Sequence, residues 1–307
     1  MTRRWRRPLL AFTSLTALLI LFAHPWFAIT RPVGGGVLVA EGWMHRDGLL
    51  QARRIFLAGG YDRLYLTGTL RPFTYQLHGG ESFTISTSRD LREEIRFKTT
   101  GLPGAQWAIL GDGDTLHAGA VTTRLVRHRV TLPRAVREIR FVETSGGGPP
   151  GTAVVFVGSM TGDGDDMHAL VDTMVLHHAD GGTEPGWPTH AEHARAILLR
   201  AGMPDSLLRA VPVRADRART RASARAFASL ARVEGIARVD VATLSVHARR
   251  THHAFVKALG PASETGIIAL EDHRCPRWTW WTRPYGWLQV MKEVVAAPFM
   301  LIPDEEG

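Results

Sequence analysis

The chain is poor in cysteine, and this excludes two common ways of stabilising a fold. Cys275 is the only cysteine among 307 residues. A disulfide within the chain and a zinc site built from cysteines are therefore both excluded. A single cysteine is compatible with either an oxidising or a reducing compartment.

Lysine is also scarce, so the positive charge of the chain comes almost entirely from arginine. The only lysines are Lys98, Lys257 and Lys292, and the net charge is +8 from 37 Lys+Arg against 29 Asp+Glu. The basic residues are scattered, with no long stripe and no recognised nucleic-acid motif. We therefore predict no nucleic-acid partner.

Several catalytic and nucleotide-binding motifs are missing. The sequence has no His-Glu-x-x-His, no Gly-x-Ser-x-Gly and no Walker loop. A Gly-x-Gly-x-x-Gly fingerprint is absent after the first predicted strand, so NAD is not an expected cofactor. Fold class alone therefore cannot supply the function.

The N-terminal region favours a membrane anchor. Four arginines, at positions 3, 4, 6 and 7, precede an apolar stretch from Pro8 to Ile29. That stretch is long enough to cross a bilayer, and the arginines predict a cytoplasmic N-terminus. Residues 1–32 are thus predicted to be a basic tail and single-pass anchor in the cytoplasmic membrane, with the main domains outside. A cleaved signal peptide is the alternative, although no convincing cleavage site follows the apolar run.

The remaining chain alternates between two patterns. A predicted strand at Val37–Ala40, a helix at Leu49–Leu57 and a strand at Arg63–Leu66 indicate a parallel sheet. Helical periodicity returns at His190–Ala201, and further helices predicted at Arg217–Val233 and from about Tyr285 to Phe299 alternate with short predicted strands. Between them, from Phe73 to Gly182, about seven short alternating segments separated by Gly and Pro suggest a β-sandwich.

The predicted fold class is α/β, a Rossmann-like parallel sheet with helices on both faces, interrupted by an inserted β-sandwich and preceded by a transmembrane helix. The predicted boundaries are 33–70 and 184–307 for the two parts of the Rossmann-like domain and 71–183 for the insertion. Insertion at a loop is the arrangement that disturbs a host domain least.

The stretch Val239–Leu259 carries the clearest candidate site. An apolar strand ends at Ser245 and a helical pattern follows. The free backbone N–H groups at the start of the helix therefore lie at the carboxyl end of the sheet, where ligands commonly bind. The side chains of Ser245, His247, Arg249 and Arg250 suit a phosphate or carboxylate. The alternative is that the arginines are solvated and His247 caps the helix.

Several short pieces together resemble the ElyC/SanA/YdcF family of envelope-associated proteins with a Rossmann-like domain. The matching pieces are Val39–Trp43, Leu66–Gly68, Ala191–Ala194, Arg219-Thr220 with Ser223, and Leu244–Arg250. Ala191 replaces the usual Ser, and Ala218 stands where many relatives have a polar residue.

The resemblance implies a pocket at the carboxyl edge of the sheet. His247 would be the acid or base and Glu41 its partner carboxylate. The implied ligand-binding residues are Gly42, Thr67, Gly68, Glu192, Arg219, Thr220, Ser245 and Arg249. The expected function is to bind or process an anionic, phosphorylated or lipid-linked envelope glycan precursor. The alternative is a non-catalytic polysaccharide-binding or scaffold protein.

The inserted region is similar to calcium-dependent, xylan-binding carbohydrate-binding modules. The likeness is strongest in Val154–His177, where a strand runs into the acidic loop Gly162–Asp166 and then into a strand with the pair Val171-Asp172. It implies a carbohydrate partner and a Ca²⁺ ion held by Asp163, Asp165 and Asp166. Gly158-Ser159 and Met167-His168 depart from the family pattern, and a solvated acidic turn is the alternative. Protein partners are not indicated by the sequence.

Overall fold

A computed structural model describes residues 3–145, 154–215 and 218–300. The chain divides into two compact units. One, here called the parallel-sheet unit, comprises Met1–Thr69 and Ala194–Gly307, and the other, the sandwich unit, comprises Leu70–His193. Residues 146–150, the sequence Gly-Gly-Gly-Pro-Pro that separates two of the predicted sandwich strands, lie outside the described residues.

The strands and helices are numbered along the chain. The strands are β1 Val37–Glu41, β2 Arg63–Thr69, β3 Thr74–Leu77, β4 Ser82–Leu91, β5 Glu94–Gly101, β6 Gln106–Gly111, β7 Asp114–Ala120, β8 Val126–Thr131, β9 Val136–Glu143, β10 Val155–Gly162, β11 Asp165–Asp166, β12 Val171–His177, β13 Thr183–Pro185, β14 Leu208–Val213, β15 Arg238–Leu244 and β16 Glu264–Leu270. The helices are α1 Arg3–Phe27, α2 Arg46–Ala58, α3 Met167–Leu170, α4 His190–Arg200, α5 Arg219–Glu234, α6 Ala248–Leu259 and α7 Pro284–Ala296.

The parallel-sheet unit is built on a five-stranded sheet with the order β14-β2-β1-β15-β16. Every residue of β1 is buried, as expected for a strand covered on both faces. Leu38 and Ala40 pack with α2 and α4, whereas Val37 and Val39 pack on the opposite face with α5 and α6. Because side chains alternate along β1, this one strand contributes apolar residues to the core on each face of the sheet.

The predicted fold class is wrong for the molecule as a whole. In the part of the chain that the structure describes, three sheets hold sixteen strands, and only five of these strands are in the parallel sheet. The other two sheets are antiparallel. Over the described residues, the parallel sheet also has five strands where a dinucleotide-binding Rossmann fold has six, and the glycine-rich first loop of that fold is missing from the sequence. Eleven of the sixteen strands in the described residues therefore lie in antiparallel sheets.

The predicted membrane anchor is also wrong. Over the described residues, none of the helices is both long and apolar enough to cross a membrane. In the sequence of α1, Thr13, Ser14, Thr16 and His24 interrupt the apolar run. The predicted single-pass location in the cytoplasmic membrane, with the main domains outside, is overturned by this finding, and the predicted membrane partner has no support.

The C-terminal end of α1 packs against its own unit. Ala23, His24 and Phe27 are buried with Val246 and Trp280. The imidazole Nε2 of His24 lies 3.1 Å from the carbonyl oxygen of Cys275. This end of the helix is therefore part of the protein core.

The sandwich unit contains two antiparallel sheets around one core. The first has the order β11-β10-β5-β8 with β3 also paired to β10, and the second has the order β13-β12-β4-β9-β6-β7. Phe97 of the first sheet meets Phe141 of the second edge to face, with ring centroids 5.7 Å apart. Trp107 stacks on Phe141 at 5.4 Å and is 1% exposed. Inward-facing aromatic residues of both sheets thus join into a single apolar layer.

Candidate functional site

A cavity of about 480 Å³ lies at the carboxyl ends of β1 and β2 and beside the turn that follows β15 in the parallel-sheet unit. Its walls come from these strand ends and from α5, α6 and α7. The lining residues are Glu41, Trp43, Gly68, Thr69, Arg219, Thr220, Ser223, His247, Arg250, Tyr285, Gln289, Lys292, Glu293 and Ala296. This edge is where parallel sheets commonly bind ligands.

The centre of the cavity wall is an ion-paired network built on Glu293. This carboxylate is 1% exposed. Arg250 donates two bonds to it, from Nε to Oε2 and from Nη2 to Oε1, both 2.9 Å long. His247 Nδ1 lies 2.6 Å from Oε1. Arg250 Nη1 also donates to Thr220 Oγ1 at 3.3 Å, so one network links α5, α6 and α7.

The charge state of Glu293 follows from these bonds. Burial alone would raise the pKa of Glu293, but hydrogen bonds from His247 and Arg250, together with the positive charge of Arg250, hold its pKa below the usual value. The carboxylate is therefore ionised near neutral pH. A hydrogen bond to an ionised carboxylate requires the imidazole proton on Nδ1, which leaves Nε2 as the acceptor in the neutral ring.

Two further cations line the cavity without a carboxylate partner. Arg219 is the first residue of α5 and Lys292 precedes Glu293 on α7, and both side chains are exposed. Among the described residues, neither forms an ion pair. Trp43 also lines the cavity, 36% exposed, with its ring at a right angle to that of His247 and the ring centroids 5.0 Å apart.

A second cavity of about 670 Å³ adjoins the first and shares Arg219, Thr220, Arg250 and Ala296 with it. Its other lining residues are Ala218, Arg221, Arg225, His253, Ala254, Lys257 and Ala258. The combined space therefore has a cationic rim over small apolar side chains.

Six of the predicted site residues line the first cavity: Glu41, Gly68, Arg219, Thr220, His247 and Arg250. The role predicted for Glu41 does not match its contacts. Its Oε2 accepts hydrogen bonds from the hydroxyls of Thr243 and Thr251, at 2.5 and 3.0 Å. The carboxylate that contacts His247 is Glu293.

Three predicted residues at or just after the strand ends do not line the first cavity. Gly42 donates its backbone N–H to the carbonyl of Thr67 at 2.6 Å. The Thr67 side chain is buried, and its hydroxyl has no hydrogen-bond partner among the residues that the structure describes. Ser245 is buried with φ +45°, and its hydroxyl lies 2.9 Å from His24 Nε2 rather than in the cavity.

The remaining two predicted ligand-binding residues serve local structure. Arg249 donates from Nε to the carbonyl of Trp26 at 2.6 Å, and its guanidinium lies 4.3 Å from the centre of the Trp26 ring. Glu192 lies in the sandwich unit. Its carboxylate accepts hydrogen bonds from the backbone N–H and the hydroxyl of Thr189, both 2.8 Å long. This is a capping box at the start of α4.

Glu293 and Lys292 are functional candidates that the sequence analysis missed. They are the only two charged residues in α7, which is otherwise apolar except for Gln289. A lone carboxylate in such a helix indicates a buried, paired charge, because unpaired buried charges are very costly. The sequence therefore contained a local indication that Glu293 is buried and paired, but it did not identify Arg250 as the partner.

The three aspartates of the acidic loop have different hydrogen-bond partners, although the Arg89 guanidinium lies within ion-pair distance of both Asp163 and Asp165. Asp163 accepts from the backbone N–H groups of Arg92, Glu93 and Glu94 at 2.8 to 3.0 Å. Burial would raise the pKa of Asp163, but these donors hold it below the usual value. Asp165 pairs with Arg89 at 2.8 Å.

Asp166 caps α3 by accepting from the His168 N–H at 2.8 Å, and burial raises its pKa. Within the described ranges, no group of three His, Cys, Asp or Glu side chains is arranged to hold a metal ion. As arranged, this donor set does not fit a calcium ion, and calcium binding stays a prediction.

No family model and no curated protein matches the chain. The ElyC/SanA/YdcF resemblance therefore has no support from these sources. A solved structure of a family 29 carbohydrate-binding module, a mutant made to probe ligand recognition, is similar to part of the chain. Its identity is 12%, its TM-score is 0.22, and the match covers 30% of this chain and 68% of that one. The similarity is thus weak and concerns a carbohydrate-binding module, without support for the xylan type.

Proposed function

We propose that the parallel-sheet unit binds an anionic carbohydrate, a sugar carrying a phosphate or carboxylate, in the cavity beside His247. The observation that carries this proposal is the pair of cations, Arg219 and Lys292, that line the cavity with no carboxylate among the described residues to neutralise them. Arg250, in contrast, is already paired with Glu293.

The shape and chemistry of the cavity support a sugar-sized ligand. Its volume of about 480 Å³ lies in the range of small-molecule sites. Trp43 offers a partly exposed apolar ring in the cavity wall, and the N-terminus of α5 at Arg219 adds backbone donors that favour an anion. A phosphorylated or lipid-linked glycan precursor, as the ElyC/SanA/YdcF resemblance implies, is the finer form of the proposal. The alternative remains a non-catalytic protein that binds polysaccharide.

Calorimetry on the full chain tests the binding, with glucose 1-phosphate, inorganic phosphate and glucose as ligands. We expect glucose 1-phosphate to bind most tightly and the double variant Arg219→Ala/Lys292→Ala to weaken it. The matched control is Arg46→Ala/Arg54→Ala, which removes two exposed cations from α2 outside the cavity. Equal loss in both double variants would show general charge attraction and contradict the proposal.

The contact between Glu293 and His247 favours acid–base catalysis as a second candidate function. Glu293 fixes the proton on Nδ1, so the free Nε2 is suited to accept a proton from a bound ligand or water. In an enzyme, His247→Ala should abolish turnover of the phosphorylated sugar while binding measured by calorimetry persists. A binding protein would have no turnover in either form.

A further inference from the structure

The first sheet of the sandwich unit has an outward face rich in arginine and lysine. On β5, Ile95, Phe97 and Thr99 are buried, and Arg96 and Lys98 alternate with them on the other face. On β8, Arg127 and Arg129 are exposed. We call Arg96, Lys98, Arg127 and Arg129 the cationic face.

The strand register places these four side chains in two directly opposed pairs. Arg96 is opposite Arg129, and Lys98 is opposite Arg127. Like charges in directly opposed positions destabilise a sheet, so they call for a compensating anion. Glu94 supplies one for the first pair, because its carboxylate bonds to both Arg96 and Arg129. Lys98 and Arg127 have no ion pair with any carboxylate of the described residues.

The neighbouring strands continue this face with a shallow, polar strip. Gly158 of β10 lies between Lys98 on β5 and Thr74 on β3, and it has no side chain to fill the space above it. In the next row, Phe156 lies beside Gln76. Thr74 and Gln76 are exposed, so a hydroxyl and an amide flank the glycine position.

We propose that this face binds an acidic polysaccharide, whose carboxylates or sulfates pair with Lys98 and Arg127 while its hydroxyls bond to Thr74 and Gln76. The proposal concerns a different unit from the cavity beside His247 and goes beyond the function proposed there. It is also independent of calcium, because none of these groups belongs to the acidic loop.

A polysaccharide fits this face better than a nucleic acid. Single-stranded nucleic acids are bound on successive aromatic platforms, and Phe156 is the only aromatic side chain in the described rows of this face. Duplex DNA is read by a helix or a strand ribbon that enters a groove, whereas this is the broad surface of a sheet. Alternating cations, a hydroxyl and an amide instead match a chain that carries both anions and hydroxyls.

The test is calorimetry of the full chain with polygalacturonate and with neutral galactan at low salt. We expect polygalacturonate to bind and galactan to bind much more weakly. The double variant Lys98→Ala/Arg127→Ala should weaken polygalacturonate binding by about tenfold or more, a difference of about 1.4 kcal/mol. Added salt should weaken the wild-type complex, since exposed charges are screened.

The matched control is Arg137→Ala/Arg140→Ala, which removes two exposed cations from β9 in the other sheet. An equal loss of binding in this control, or equal binding of neutral galactan, would overturn the proposed face. Tighter binding of single-stranded DNA than of polygalacturonate would overturn the ligand class. The single variant Arg127→Gln replaces the double variant if thermal unfolding shows that the latter does not fold.

Discussion

At the residue scale, the most consequential titratable group outside the cavity is His168 in the core of the sandwich unit. Its side chain is fully buried, with Nδ1 2.8 Å from the carbonyl of Arg71 and Nε2 3.0 Å from the Tyr75 hydroxyl. The ring donates from Nδ1 and accepts at Nε2, so it is neutral. Burial lowers the pKa of His168 to about 4.

We predict that the stability of the sandwich unit falls as the pH drops from about 6.5 towards 4. In that window the unfolded chain gains a proton on His168 that the folded chain does not accept, so protonation favours unfolding. The expected loss is about 3 kcal/mol, measured by urea unfolding at a series of pH values. His168→Gln should flatten this part of the profile, and an unchanged slope in the variant would assign the effect to other groups.

Cys275 is predicted to be unreactive in the native protein at neutral pH. It is 1% exposed, and burial, reinforced by the negative charge of Asp272, raises the pKa of the thiol to about 11. The reactive thiolate is therefore scarce. Ellman's reagent should label the native chain slowly and the urea-unfolded chain fully, and rapid labelling without urea would contradict the buried position.

At the element scale, α7 determines the charge balance of the cavity. Gly286, Gln289, Val290 and Glu293 are its buried residues, spaced so that they share one face. Glu293 is the only acidic residue on that face, and it joins α7 to Arg250 and His247 of the neighbouring segment. The position of this helix thus depends on one buried carboxylate.

We predict that Glu293→Gln destabilises the parallel-sheet unit by about 3 kcal/mol, because it leaves Arg250 without its buried partner. Lys292→Gln on the same helix removes an exposed charge and should change stability by less than about 0.5 kcal/mol. Thermal and urea unfolding of both variants measures the difference. Similar small effects for both would mean that the Glu293 network contributes little to stability.

The sequence predicts the elements better than their pairing. The strands predicted at Val37–Ala40 and Arg63–Leu66 are confirmed and extend to Glu41 and Thr69. The helix predicted near Tyr285–Phe299 is confirmed as Pro284–Ala296. Hydrophobic periodicity records local burial, whereas register depends on contacts between distant segments. Short β7 was missed because its residues are mostly exposed and lack alternation.

The same limit applies to the candidate site. The turn after β15 was predicted as the site because His247 follows a buried strand, and His247 does line the cavity. Residues of that turn and of the helix after it nevertheless contact different elements: Ser245 bonds to His24 of α1, whereas Arg250 of α6 bonds to Glu293 of α7. Which side chain enters the cavity depends on the 3₁₀ turn Ser245–His247, which residue types alone do not predict.

At the scale of the whole molecule, each unit has its own apolar core. The sandwich core contains Phe83, Phe97, Trp107 and Phe141, whereas the parallel-sheet unit has separate clusters on the two faces of its sheet. Because the cores are separate, we expect a substitution that disrupts the core of one unit to leave ligand binding by the other unit intact.

We predict that Trp107→Ala destabilises the sandwich unit by about 3–5 kcal/mol, since it creates a large cavity in a packed core. Glucose 1-phosphate binding to the full-length variant should persist at temperatures below its first unfolding transition. Scanning calorimetry should show one transition moved to lower temperature and one retained. A single transition that moves as a whole would show that the two units unfold together.

The burial of the end of α1 has a practical consequence for how the chain can be shortened. A shortened chain that began after Ile29 would omit the whole apolar stretch that the sequence analysis delimits. It would also leave a void beside Trp280 and Val246, and the carbonyl of Cys275 would lose the imidazole of His24. Water would then reach Ser245, whose hydroxyl bonds to the same imidazole. The truncation point that the sequence pattern suggests therefore lies within the folded part of the protein.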